Sequence, residues 1–134
     1  MRALHIEDNP DDRALAAREL IRAFPDIEIV SIGNHAALSR EIEHGTVDLV
    51  LTDYQFNWSD GLQVLREVKA RRPDCPVVMF TGSGDEELVV EALKAGLDDY
   101  VIKSPKHAAR LATAVRSALE RSASRRSLRR SEER

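Results

Sequence analysis

The stretch "VDLVLTD", residues 47–53, decides the fold. Four of its first five residues are apolar, and it ends in a threonine and Asp53. A nearly continuous apolar run of this length is typical of a strand that helices cover on both faces, as in a parallel sheet. The stretch therefore predicts a central parallel strand that presents a carboxylate at its carboxyl end.

Four further short apolar runs predict the other strands of this sheet. They are "ALHI", "IEIVSI", "VVMFTGSG" and "DYVIK", at residues 3–6, 27–32, 77–84 and 99–103. Longer segments with helical spacing of apolar residues alternate with these runs, which is the sign of repeated βα units. We therefore predict an α/β domain with five strands and five helices around an open parallel sheet.

Capping residues mark the predicted helix ends. Asn9 is placed as the N-cap of a first helix over residues 11–23, with Pro10 at its first position, and Ser104 and Pro105 are placed in the same way at the start of the last helix. Gly45 is placed at the end of the second helix. The first helix is predicted to carry an apolar face of Leu15, Leu20, Ile21 and Ala23, and the fourth to begin with Asp85, Glu86 and Glu87 and to continue through Val89, Val90, Ala92 and Leu93.

The totals exclude several functional classes. The chain has 134 residues, 43% of them hydrophobic, and a net charge of -3, which gives no overall attraction to nucleic acid or to an anionic membrane. Cys75 is the only cysteine, so no internal disulfide can form. No signal-peptide pattern, membrane-length apolar run or DNA-reading motif is found. These observations predict a cytoplasmic protein with neither nucleic acid nor a membrane as partner.

Charge divides the chain unevenly. Residues 1–115 carry 13 basic and 20 acidic side chains, whereas residues 116–134 carry 7 basic and 3 acidic ones. Ser122 and Arg125 take the next places of the apolar stripe of the last helix, so its packing face is predicted to run out near residue 120. We therefore predict a domain over residues 1–120 and a basic helical extension or linker over 121–134, without Pro or Gly to break the helix.

Polar groups end four of the predicted strands. They are Glu7 and Asp8, Asp53, Thr81, and Lys103. Ligands of open parallel sheets bind outside the carboxyl ends of the strands, so these side chains are expected to converge. Grouped carboxylates repel one another unless a cation neutralises them, and carboxylate oxygens suit Mg²⁺. The sequence predicts a Mg²⁺ site there, whereas Asp11 and Asp12 are assigned to the N-terminus of the first helix.

The combination "ED", "TD", "FTG" and "DYVIK" resembles the receiver domain of two-component response regulators, over roughly residues 2–120. The resemblance implies a flavodoxin-like, doubly wound (βα)5 fold with strand order 2-1-3-4-5. It implies that Asp53 takes a phosphoryl group from a histidine kinase and that Lys103 and Thr81 contact the phosphoryl oxygens. Such a protein is not an enzyme beyond its own phosphorylation and dephosphorylation.

The same resemblance assigns the remaining site residues. Mg²⁺ would be held by Asp53, by Asp8 directly, by Glu7 through water and by the backbone carbonyl of Gln55. The remaining implied roles are a conformational switch for Tyr100, acting together with Thr81, and space for phosphate entry at Gly82.

Two positions depart from the family pattern. Asn57 stands where receiver domains often have proline, four residues after the phosphoacceptor, so a differently shaped loop is expected there. For Trp58, beside it, packing within that loop is favoured over contact with a partner. Lys103 is followed by serine instead of the usual proline, so the Lys103–Ser104 bond is expected to be trans.

The implied partners are a sensor histidine kinase or a phosphotransfer protein, and a second copy in a homodimer. The tail "SLRRSEER" also resembles the helical lead-in of PAS sensor domains, which predicts an output domain in a longer chain. Two alternatives differ in class. A phosphatase of the haloacid dehalogenase type needs a second aspartate two positions after the nucleophile, where this chain has Gln55. An interaction module that is never phosphorylated would require replacement of these site residues, whereas the site of this chain is intact by residue type.

Overall fold

The computed structural model of the chain describes residues 1–82 and 86–133. Its strands are β1 (Arg2–Ile6), β2 (Glu28–Ser31), β3 (Leu49–Thr52), β4 (Gln55–Phe56), β5 (Ser59–Asp60), β6 (Val77–Thr81) and β7 (Asp99–Ile102). Five of them form one parallel sheet in the order β2-β1-β3-β6-β7. Counted without the two short strands β4 and β5, this is the predicted order 2-1-3-4-5, and the fold prediction is confirmed.

Helices cover both faces of the sheet. They are α1 (Pro10–Ala23), α2 (His35–His44), α3 (Gly61–Arg71), α4 (Glu86–Lys94) and α5 (Arg110–Glu132). One core joins the sheet to α2, α3 and α4 through buried Leu38, Leu65 and Ala92, and the other joins it to α1 and α5 through Leu20 and Leu111. Burial of both strand faces explains why β3 has no exposed residue.

Several predicted boundaries are confirmed by capping contacts. The Asn9 side chain accepts hydrogen bonds from the backbone N–H groups of Asp11 and Asp12, and Pro10 begins α1. Gly45 ends α2, where its N–H bonds the carbonyl of Glu41. These local signals are readable from sequence because each involves residues close together along the chain.

The predicted start of the last helix is wrong. Residues 105–109 form a turn, and α5 begins at Arg110. Ser104 does cap that turn, since its side-chain oxygen accepts a hydrogen bond from the N–H of His107. The Lys103–Ser104 peptide bond is trans, as expected.

Other differences concern exposure and a loop. Ile21, Val90 and Leu93 are about half exposed, so the apolar faces predicted for their helices are narrower than expected. The count of five strands misses β4 and β5, which pair antiparallel in the loop after β3. Residues 83–85 lie outside the described residues. They include Asp85 and the last two residues of the run predicted over 77–84. Among the helices of the described part, none combines the length and apolar character of a membrane span.

Helix α5 does not lose its packing contacts near residue 120. Ser122 is fully buried and donates a hydrogen bond to the backbone carbonyl of Asp74. One turn further, Arg125 pairs with Asp98 at 3.2 Å, and Arg129 pairs with Asp74 at 3.1 Å. The expectation of an ending packing face is wrong because polar and ionic contacts take over where the apolar stripe stops.

Asp98 is the buried centre of these contacts. Its side chain is 4% exposed, and its Oδ2 accepts hydrogen bonds from Lys69 Nζ at 3.0 Å and from the backbone N–H of Val77 at 2.8 Å. With Arg125 on its other oxygen, this one carboxylate joins α3, β6 and α5.

We predict that Asp98→Ala lowers the free energy of unfolding by about 3 kcal/mol, because Lys69 and the Val77 N–H lose their acceptor in a buried place. Urea unfolding followed by circular dichroism measures it. Asp26→Ala, in an exposed turn, is the control and should change stability little. Equal stability of the two variants would contradict the role given to Asp98.

Candidate functional site

The register of the sheet sets the backbone around Asp53. Ile6 of β1 pairs with Thr52 of β3, and the backbone N–H of Asp53 donates to the carbonyl of Ile6 at 3.0 Å. Glu7 and Asp53 therefore leave adjacent strands side by side.

Gly61 holds the other side of the Asp53 backbone. Its N–H donates to the carbonyl of Tyr54 at 2.8 Å, and a Cβ atom at this position would lie 2.6 Å from the carbonyl oxygen of Asp53. Any larger residue at the start of α3 would push against the strand end that carries Asp53, so glycine is needed there for close approach.

Lys103 is brought to Asp53 by the other half of the sheet. Its backbone N–H donates to the carbonyl of Thr81 at 2.9 Å, which continues the pairing of β6 with β7. Its Nζ lies 2.7 Å from Asp53 Oδ2 and 2.9 Å from Asp12 Oδ2, and it also pairs with Glu7. The side chain is 9% exposed, so this cluster is largely shielded from solvent.

Burial and pairing shift the pKa values in this cluster. Burial, the largest single influence, lowers the pKa of Lys103, but hydrogen bonds to Asp53, Glu7 and Asp12 outweigh it and raise that pKa. Burial raises the pKa of Glu7, and the Asp53 charge adds to the rise, while Lys103 opposes it. Lys103 is therefore a fixed positive charge at every physiological pH.

His5 lies beneath this cluster in β1 and is 3% exposed. Burial, together with the positive charges of Lys103 and Arg13, lowers its pKa to about 4. His5 is therefore neutral near pH 7 and leaves Lys103 as the cation that faces the carboxylates from the sheet.

Asp8 faces the loop that follows β3. Its Oδ2 accepts a hydrogen bond from the backbone N–H of Asn57 at 3.0 Å. Arg13 of α1 donates from Nη1 to the carbonyls of Glu7, at 2.9 Å, and Asp8, at 3.3 Å. Arg13 thus fixes the backbone of the acidic pair through its carbonyls, while the carboxylate of Glu7 pairs with Lys103 and that of Asp8 accepts from the Asn57 N–H.

The β4–β5 hairpin is packed by aromatic rings. The Phe56 and Trp58 ring centroids lie 4.8 Å apart, and His35 approaches Trp58 edge-on at 6.3 Å. Both hairpin aromatics pack against the core below. The predicted loop-packing role of Trp58 agrees with these contacts, whereas the different loop shape expected from Asn57 stays a prediction.

The oxygen donors and the local charge fit a divalent cation. Glu7, Asp8, Asp12 and Asp53 outnumber the single ammonium of Lys103. Within residues 1–82 and 86–133, no three His, Cys, Asp or Glu side chains are arranged to hold a metal by themselves. A cation at this edge would be held by one or two carboxylates and by several waters, which is the coordination that Mg²⁺ prefers.

The remaining predicted residues lie around this edge. Thr81 is 1% exposed and pairs with Ile102, beside Lys103. Gly82 is exposed, and a Cβ atom there would meet no described atom within 4 Å. Tyr100 is half-buried, pairs with Met79 and packs against the core. Gln55 lies exposed in β4.

Three residues of this edge were missed or misassigned by sequence reasoning. Arg13 and Gly61 carry no motif of their own in a single sequence. Asp12 was assigned to the helix N-terminus together with Asp11, yet it reaches Lys103. Only the direction of each side chain on the first turn of α1 separates these two aspartates, and no local pattern encodes it.

The fold and the edge define a class: a doubly wound α/β domain with an acidic, lysine-containing site at the carboxyl ends of its central strands. The family profile described as "Response regulator receiver domain" matches residues 3–116. The chain belongs to the response regulator receiver domain family.

Individual relatives agree with this assignment. "Regulatory protein LuxO" of Vibrio vulnificus is 35% identical over 116 residues, which is 87% of this chain and 25% of LuxO. "Transcriptional regulatory protein FixJ" of Azorhizobium caulinodans is 31% identical over 123 residues, 90% of this chain and 56% of FixJ. The chain thus spans between about a quarter and a little over half of these relatives.

Solved structures show the same architecture. The crystal structure of NtrX from Brucella abortus has a TM-score of 0.80 and 32% identity, and the match covers 99% of this chain and 29% of that one. A CheY-like receiver domain protein from Methanospirillum hungatei JF-1 has a TM-score of 0.78 at 24% identity over 92% of this chain and 97% of that one, which supports the fold alone.

Membership makes the chain a phosphoacceptor signalling domain of two-component systems rather than an enzyme with a separate substrate. Proteins of this family work with histidine kinases and often carry output domains. The phosphatase and the non-phosphorylated interaction module are therefore not favoured.

We predict that Lys103→Met lowers the free energy of unfolding by about 3 kcal/mol, because it leaves clustered carboxylates without their cation. Urea unfolding without divalent ions tests this, and Lys106→Met, at an exposed position, is the matched control. A Lys103→Met variant as stable as the control would show that the cluster does not depend on the ammonium.

Proposed function

We propose that Asp53 is the phosphoacceptor of this domain, with Mg²⁺ as cofactor and with Lys103 and Thr81 as the residues that contact the phosphoryl group. The observation that carries the proposal is the 2.7 Å contact between Lys103 Nζ and Asp53 Oδ2 at the carboxyl edge of the sheet. A carboxylate beside a permanent ammonium is partly neutralised, so an anionic phosphoryl donor meets less repulsion.

The reaction is transfer from the phosphohistidine of a sensor kinase or phosphotransfer protein. A carboxylate oxygen of Asp53 attacks phosphorus, the N–P bond breaks, and the imidazole leaves with the bonding electron pair and then takes up a proton. The product is an aspartyl phosphate, which water later hydrolyses to restore the carboxylate. Catalysis here is positioning and charge stabilisation, as in other phosphoryl transfers.

The chain's own groups set this geometry. The Tyr54 N–H donates to Asp53 Oδ1 at 2.7 Å, which orients the carboxylate and leaves Oδ2 towards Lys103. Lys103 would move with the developing charge on one phosphoryl oxygen, and the Thr81 hydroxyl would donate to another. Gly82 is exposed, so its backbone leaves the approach open.

Four groups are proposed to hold Mg²⁺: Asp8, Asp53, the carbonyl of Gln55, and Glu7 through water. When bound, the ion neutralises charge on the phosphoryl oxygens. Two observations support these ligands: Asp8 is tied to the hairpin that contains Gln55 through the Asn57 N–H, and Glu7 is 6% exposed beside Asp53.

The response to phosphorylation is proposed to pass through Thr81 and Tyr100. A phosphoryl group adds about -1.5 to -2 charges, enough to bias a packed element between two arrangements. Thr81 and Tyr100 lie on adjacent paired strands, and Tyr100 is only half-buried, so its ring has room to repack.

The signal is proposed to leave through α5. This helix continues without a break to Glu132. Four expectations stay predictions: the domain over 1–120, the extension over 121–134, a homodimer, and a PAS or other output domain. Relatives that are longer than this chain support the idea of a further domain.

We predict that incubation with acetyl phosphate and Mg²⁺ adds one phosphoryl group to the wild-type chain and none to Asp53→Asn, since the amide is a poor nucleophile. Intact-mass spectrometry measures the addition, and EDTA should abolish it. Asp26→Asn is the control, expected to label like wild type. Labelling of Asp53→Asn to the wild-type level, or modification mainly on histidine or serine, would refute the site.

We predict that Mg²⁺ changes the fluorescence of Trp58, the only tryptophan, because its hairpin is bonded to Asp8. Asp8→Asn should weaken the Mg²⁺ affinity about tenfold by removing one carboxylate ligand. Asp11→Asn removes a nearby charge and should leave the affinity close to wild type. Equal affinities of all three proteins would remove Asp8 from the ligand set.

A further inference from the structure

Asp12 is the member of the Lys103 cluster that the proposed phosphoryl-transfer chemistry does not use. Its Oδ2 lies 2.9 Å from Lys103 Nζ across the gap between α1 and the end of β7. We propose that Asp12 is a positioning residue that competes with the phosphoryl group for Lys103 and so favours the unphosphorylated state. The inference rests on the proposed role of Asp53.

In the unphosphorylated state, all three donors of Lys103 have carboxylate partners. An ammonium has three N–H donors, and Asp53, Glu7 and Asp12 supply three carboxylate partners. Phosphorylation turns Asp53 into an acyl phosphate and frees one donor for a phosphoryl oxygen, but Glu7 and Asp12 keep their charges and continue to compete for the ammonium. The contact with the phosphoryl group therefore has a cost that depends on which partner leaves.

Exposure identifies the partner that leaves most easily. The side chains of Glu7 and Asp53 are 3% and 12% exposed, whereas that of Asp12 is 33% exposed. A carboxylate that returns to water recovers its hydration, while a buried one cannot. Asp12 is thus the partner that the phosphoryl group would replace.

The position of Asp12 is fixed by the start of α1. The Asn9 side chain accepts hydrogen bonds from the backbone N–H groups of Asp11 and Asp12 at 2.9 and 3.2 Å. Because Asn9 caps α1, the carboxylate of Asp12 is not used as the cap. Because the first turn is held in this way, the Asp12 side chain approaches Lys103 from a rigid element. Asp11, one residue earlier, is exposed.

After phosphorylation, Asp12 would oppose the new state twice. It would still attract Lys103, and its charge would repel the phosphoryl oxygens nearby. Removing the charge of Asp12 should therefore stabilise the phosphorylated arrangement, even though it removes an ion pair from the resting arrangement.

The test is a titration with beryllofluoride, a phosphoryl mimic, in saturating Mg²⁺, followed by Trp58 fluorescence. We expect Asp12→Asn to bind it about fivefold more tightly than wild type, the factor that an ion pair of this exposure is worth. Asp11→Asn is the matched control, because it removes the same charge from the same helical turn without contacting Lys103. Asp12→Glu should restore the wild-type affinity.

Urea unfolding without ligand separates positioning from structural support. A residue that only supports the fold would leave beryllofluoride affinity unchanged or weaken it when replaced, whereas the proposed competitor gives tighter binding together with equal or lower stability. Tight binding by Asp12→Asn alone supports the inference. If wild type binds beryllofluoride and the affinity of Asp12→Asn is equal to that of Asp11→Asn, or weaker, the inference is overturned. No binding of beryllofluoride by any variant would instead overturn the proposed function.

Discussion

The contact between the ammonium of Lys103 and the carboxylate of Asp53 is the constraint on which the acidic edge depends. The sheet brings these two residues together from different strands, and the N–H of Asp53 and the carbonyl of Thr81 are both used in pairing. Their backbones cannot move apart without breaking the ladder. Glu7 and Asp12 can then approach without prohibitive repulsion because one fixed cation lies among them.

The same logic of buried charge continues at the opposite end of the sheet. Asp98 precedes β7, whose other end leads to Lys103, and it binds Lys69 and Arg125 from two different helices. Ion pairs therefore hold β7 at both ends, while its middle is held by apolar packing. This explains why α5 stays attached beyond its apolar stripe, through Arg125 and Arg129, although that segment is too polar to join a core.

Sequence reasoning predicted the parts of this structure that local patterns encode. The apolar run before Asp53 predicted a central parallel strand, and the cap at Asn9 predicted the start of α1. The predicted start of α5 is wrong because Ser104 caps a turn as readily as a helix. The predicted end of the packing face is wrong because Ser122 is buried through a hydrogen bond to the carbonyl of Asp74, which is distant in sequence. The rule that ligands bind at the carboxyl ends of parallel strands predicted that the acidic residues and Lys103 converge, but it did not predict which side chains contact one another.

Asp12 shows why that last step needs three dimensions. Its charge, its helical position and its distance along the chain from Asp53 are nearly those of Asp11, yet only Asp12 is placed against Lys103. A helix turns each successive side chain by about 100°, so adjacent residues on one turn face different surroundings. The two aspartates at the start of α1 therefore have different surroundings: Asp11 faces solvent, and Asp12 forms an ion pair with Lys103. A phosphoryl group bound at Asp53 would meet that second carboxylate before it could use Lys103 fully.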